Sequence, residues 1–233
     1  MDSGATAIRA PQTDVVSGRK RRDLIEFCVG YALVLLVIWT PRPWQRLSYA
    51  VAAAYLATVL WTSFAGWKAM GLQTANFARS IWVIGVALVS SAIAILVASR
   101  MHTLLLPGSP LLFLERYAGY TVGACIQQIL LQNIFLPRLL QLIRTPASAA
   151  LVAAAIFSLA HLPNPILTVA TLIWGFAACL LFLRYRNLYT LAIAHAIFGI
   201  AIAMTVPGPV IHNMRVGLGY LTYSPHRGHH RNH

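Results

Sequence analysis

Polar and apolar positions along this chain separate on the scale of whole segments rather than of single helix turns. Apolar runs lie at roughly 24–40, 45–65, 78–99, 117–143, 148–161, 165–183 and 188–206, and a run of about 20 residues suffices to cross ~30 Å of hydrocarbon. Breakers punctuate them: "PRP" at 41–43, "RTP" at 144–146, "PNP" at 163–165, "RYRN" at 184–187 and "PGP" at 207–209. The pattern predicts an all-α protein, a polytopic membrane helix bundle of about seven transmembrane helices. No soluble domain fits between the runs.

Composition agrees with that pattern and adds orientation. Of 233 residues, 58% are hydrophobic and 10% charged, against about 25% charged in soluble domains, so the chain reads as an integral, multipass membrane protein, placed in the plasma (inner) membrane. The net charge of +13 does not indicate nucleic acid, because the basic residues are scattered in pairs between apolar runs. Lys and Arg favour cytoplasmic loops; with the N-terminus inside, eleven of the 18 lie in cytoplasmic segments and seven outside. The expected organisation is a basic cytoplasmic segment at 1–23, a transmembrane domain at 24–206 and a disordered His/Arg-rich tail at 207–233. "RKRR" at 19–22 resembles the start of a signal peptide, but "TPRPW" at 40–44 offers no cleavage site, so the first span is read as uncleaved. Cys28, Cys125 and Cys179 fall in apolar runs without CxxC spacing, which indicates neither disulfides nor structural zinc. The four histidines at 226–233 read as a solvated tail.

The candidate chemistry lies in polar residues set where lipid belongs. "CIQQILLQ" at 125–132 puts Gln128 and Gln132 on one helix face, with Gln127 about 100° round from Gln128. Just upstream, Gly119 and Gly123 form a GxxxG spacing that predicts close approach of another helix. By themselves the glutamines read either as interhelical glue or as a polar corner. His161 ends the fifth run and His195 lies near the middle of the seventh; an intramembrane histidine is a functional residue by default, with a satisfied structural histidine as the alternative. If the three faces converge, they enclose a small cavity able to hold a water.

The order of these blocks, "QQILLQ" at 127–132, "FSLAH" at 157–161 and "HAIFG" at 195–199, resembles the CAAX-protease and bacteriocin-processing family of intramembrane proteases, which includes the lysostaphin-resistance proteins. The likeness covers roughly 116–200. It implies peptide-bond hydrolysis near the membrane, with Gln127, Gln128, His161 and His195 at the catalytic positions, no cofactor or metal, and membrane lipids and a membrane-associated peptide or protein substrate as partners. The family pattern is a pair of glutamates with an arginine four residues after the second, then FxxxH, then HxxxN. Here Gln127 and Gln128 replace the glutamates, Gln132 the arginine and Gly199 the asparagine. The first glutamate and the histidine of FxxxH are thought to activate water in the family. An amide is a poor base, so its loss removes on the order of 10²–10⁴ in rate.

Other proteolytic chemistries lack their residues. No His-Glu pair supports a zinc protease, no paired aspartates lie in the runs, and no nucleophile signature surrounds Ser158. Three function classes stay open: an endopeptidase using His161 as base, a catalytically inactive relative that binds a membrane peptide or lipidated partner, and a small transporter lined by the polar spans.

Overall fold

The computed structural model describes residues 12–224. Seven long helices follow the seven apolar runs: α1 (Gln12–Trp39), α2 (Arg42–Thr62), α3 (Phe77–Arg100), α4 (Pro110–Ile129), α5 (Pro146–Leu159), α6 (Pro165–Tyr185) and α7 (Leu188–Thr205). α3, α6 and α7 are long and apolar enough to cross a membrane by length and composition, and α5 is a shorter apolar helix of 14 residues. Large apolar side chains such as Trp61, Val89, Leu111 and Ile173 stay exposed around the bundle, as a lipid-facing surface requires. The protein is an all-helical membrane bundle.

Helix starts are written in the sequence. Ser109, Thr145 and Asn164 each precede a proline, and their side chains accept from the backbone N–H of Leu112, Ser148 and Leu167; Asn187 does the same for Thr190. Such residues satisfy an orphan donor at the N-cap, and proline at the first helical position has no N–H to leave unpaired. Small residues set the tightest packing. Ala149, Ala150, Ala153 and Ala154 of α5 are fully buried, and a Cβ on Gly175 of α6 would come within 3.3 Å of the Ala154 Cα, so α5 and α6 meet through small faces.

α4 does not stop at Ile129. It runs through a π-helical turn, Leu130–Phe135, and on through Leu136–Leu142. Pro137 explains the irregularity: it has no N–H for the helix ladder and its ring would collide with the carbonyl four residues back, so the helix widens just before it. This places Gln128 above the widened turn and Arg138 below it on one continuous rod.

Two expectations change here. Nothing lies within 4 Å of a Cβ built on Gly119 or Gly123, so the GxxxG spacing supports no close helix contact. Where the sequence reads as a tail from 207 on, α8 (Gly208–Ile211), a 3₁₀ turn (His212–Met214) and α9 (Gly217–Leu221) fold back over the bundle. Fully buried Asn164 pins them, its Nδ2 donating to the carbonyls of Ile211 (2.9 Å) and Arg215 (3.2 Å), while Gly217 N–H donates to Leu162 O at 2.8 Å. Gly217 has φ +54 and lies against the Ile38 backbone, a position only glycine fills without strain. The histidines at 226–233 and residues 1–11 lie outside the described residues.

Candidate active site

α4, α5 and α7 bring their polar residues to one place. A cavity of about 210 Å³ is walled by Tyr120 and Gln127 of α4, His161 just beyond α5, Trp174 of α6 and His195 and Gly199 of α7. Met214 and Val216, from the folded-back segment, close part of its rim. No carboxylate lines it among the described residues. Nor is any group of three or more His, Cys, Asp or Glu side chains among them placed to hold a metal ion.

Gln128 and Gln132 are 0% exposed and His195 5%, and they form a chain. Gln132 Nε2 donates to Gln128 Oε1 at 3.2 Å, and Gln128 Nε2 lies 3.2 Å from His195 Nδ1. With its oxygen engaged by Gln132, Gln128 presents an N–H to His195, which makes Nδ1 the acceptor and puts the ring proton on Nε2. Gln132 Oε1 has no hydrogen-bond partner among the described residues. The buried corner is therefore neutral throughout, and each amide or ring fixes the orientation of the next.

His161 is held differently. It sits two residues past the end of α5, where its Nδ1 lies 2.8 Å from the carbonyl oxygen of Phe157. A carbonyl can only accept, so Nδ1 carries the proton and Nε2 keeps a free lone pair. Phe157 stacks edge-on against both rings, with centroids 5.0 Å from His161 and 5.9 Å from His195. The spacing of the FxxxH block thus has two physical uses: the Phe157 carbonyl sets the tautomer of His161, and the Phe157 ring packs against both imidazoles. One cavity then carries a nitrogen lone pair on His161 and an N–H on His195.

Two residues of the cavity escaped sequence reasoning. Tyr120 packs so closely over α7 that a Cβ on Gly199 would fall 1.6 Å from its hydroxyl oxygen. The missing side chain at 199 is the space that Tyr120 fills. Its position seven residues before Gln127, two helix turns away on the same face, was the available signal. Trp174 presents an indole Nε1 with no hydrogen-bond partner among the described residues, beside His195 at 6.3 Å between ring centroids.

Behind Gln127 and His161 opens a second, mostly apolar cavity of about 410 Å³ between α1, α2, α4 and α5, sharing Gln127, His161 and Val216 with the first. The polar corner thus sits at the junction of a smaller, more polar chamber and a larger, more apolar one.

Of the sequence-predicted residues, Gln127, His161 and His195 line one cavity and Gln128 stands behind it, bonded to His195. No curated protein and no solved structure matches the chain. Residues 109–201 match the family described as Rce1-like, Type II CAAX prenyl endopeptidase Rce1-like. From the N-cap of α4 into the second half of α7, the chain is thus similar to the Rce1-like type II CAAX prenyl endopeptidases, within a membrane helix bundle.

Proposed function

We propose that this chain is a protease-like membrane protein that takes a membrane peptide or lipidated tail into the two-chambered cavity, with hydrolysis silenced by its glutamines. The supporting observation is the set of groups around the polar chamber: a lone pair on His161, donors on His195 and Tyr120, and the amide of Gln127, with no carboxylate among the described lining residues. A water placed between Gln127 and His161 has an acceptor in His161 Nε2. The carbonyl oxygen of a bound peptide has N–H and O–H donors on His195 and Tyr120, the groups that stabilise charge developing on that oxygen. The residue that would take the water's proton in the family pattern is an amide here, and the term it supplied is worth up to about four orders of magnitude.

The apolar chamber supports the substrate class. Its walls are residues such as Val34, Leu56, Phe135 and Ile156, suited to an apolar side chain or a lipid group entering beside the polar corner. A photo-crosslinking peptide with a lipidated C-terminal cysteine, presented to the protein in bilayers, tests binding directly. It is expected to label walls of both chambers, and His161→Ala is expected to reduce labelling. Labelling confined to the outer faces of α2 and α3 would contradict the reading.

A further inference from the structure

Farther along α4 a second polar cavity opens, of opposite character. It encloses about 360 Å³ between the start of α1, the end of α2 and the end of α4, and its charged wall is Arg19, Arg22, Asp23, Arg138 and Arg186. Four guanidiniums face one carboxylate there. With Glu26, which stands behind Arg138, two positive charges remain uncompensated among the described residues. Arg138 lies eleven residues beyond Gln127, or roughly 16 Å along a helix rising 1.5 Å per residue, so this cavity is separate from the histidine chamber.

The arginines are prearranged. Arg138, 4% exposed, donates Nε to Glu26 at 3.0 Å, Nη2 to Ser63 Oγ at 2.9 Å and Nη1 to Ile134 O at 2.8 Å. Arg186 lies over the Phe182 ring and donates to Ala69 O at 3.2 Å. Arg22 approaches Glu26 at 3.4 Å but is 62% exposed, leaving most of its fork open to the cavity. On the same wall Asn133, in the π turn, has a side-chain N–H group without a hydrogen-bond partner among the described residues. Donors outnumber acceptors, and Arg forks match the oxygens of a phosphate group.

We propose that this cavity binds the phosphate of an anionic phospholipid headgroup. Lys68, Arg79, Arg144 and Arg184, in the loops and helix ends at this end of the bundle, add to the charge, so it is the end that an anionic leaflet attracts. Leu60 and Phe64 on the wall offer an apolar flank to the glycerol and upper acyl carbons. The charge and the apolar flank together select a lipid over a small anion.

The test is native mass spectrometry and thermal unfolding of the full chain taken from bilayers of phosphatidylcholine, with or without phosphatidylglycerol. The expected result is one phosphatidylglycerol retained per chain and a raised melting temperature. Both are lost in the double variant Arg22→Gln/Arg186→Asn, whose residues are exposed and whose asparagine tolerates the left-handed backbone of position 186. Arg79→Gln/Arg144→Gln removes equal charge outside the cavity and is expected to retain the lipid. Equal retention by both double variants would overturn the site in favour of diffuse surface attraction. Inorganic phosphate raising the melting temperature as much as phosphatidylglycerol would overturn the lipid assignment in favour of a free anion. No retained lipid and no shift with either probe would overturn the proposal outright.

Discussion

One helix carries two polar clusters, and they solve burial in opposite ways. Above and within its π turn, the α4 rod offers Gln128 and Gln132, neutral amides joined to His195 in a chain without charge. Below it, Arg138 is just as buried but charged, and it is matched by the Glu26 carboxylate with Ser63 and a backbone carbonyl completing its bonds. A buried charge stays only where a counter-charge and hydrogen bonds meet it, whereas buried amides need hydrogen bonds alone. The amides at 128 and 132 therefore belong together: a glutamate at 128 would need a cation such as an arginine at 132, and neutral Gln128 is served by neutral Gln132. The upper cluster buries its polar groups as a neutral hydrogen-bonded chain.

Charging the neutral cluster is the harshest challenge to this contrast. Gln128→Glu places a carboxylate at a fully buried position whose nearest donor is one amide, and a loss of about 3–5 kcal/mol is expected, read as a lowered midpoint in thermal unfolding. Adding Gln132→Arg is expected to restore much of it. If the single variant is as stable as the native chain, the upper cluster tolerates charge and the contrast fails. Neutralising the charged cluster is the reciprocal test. Arg138→Met leaves Glu26 with only the exposed Arg22, and about 3 kcal/mol of destabilisation is expected, less if water reaches the carboxylate.

A smaller effect sharpens the description of the neutral side. Gly199→Ala drives a methyl group into the Tyr120 hydroxyl, and overpacking of this kind costs about 1–3 kcal/mol. Unchanged stability would mean that Tyr120 swings freely and does not belong to the cavity wall.

Much of the architecture was legible because membrane burial writes itself in composition: seven apolar runs became seven helices, and Ser109, Thr145, Asn164 and Asn187 marked where four of them start. The meeting of Gln127, Gln128, His161 and His195 was legible because isolated polar groups in apolar helices need one another. What escaped depends on three-dimensional fit. Gly199 is open in sequence and filled by Tyr120 in space. Gly119 and Gly123 have the spacing of a contact but no neighbour. The segment after Pro207 lacks a long apolar run, so nothing local signals that Asn164, through two backbone carbonyls, holds it against the cavity. The π turn follows from Pro137, yet a proline alone does not say whether a helix bends, ends or widens.

The measurement closest to the central claim is cleavage of a lipidated CAAX-type peptide in bilayers by three chains: native, Gln127→Glu, and Gln127→Glu/His161→Ala. Gln127 is only partly buried and faces both chambers, so a carboxylate there reaches water and escapes the penalty expected at 128. On the proposed reading a carboxylate beside the His161 lone pair supplies a general base, and a gain of about 10²–10⁴ over the native rate is predicted, abolished by His161→Ala. Native cleavage as fast as that of Gln127→Glu, and lost on His161→Ala alone, would contradict the account by showing that histidine already supplies the base.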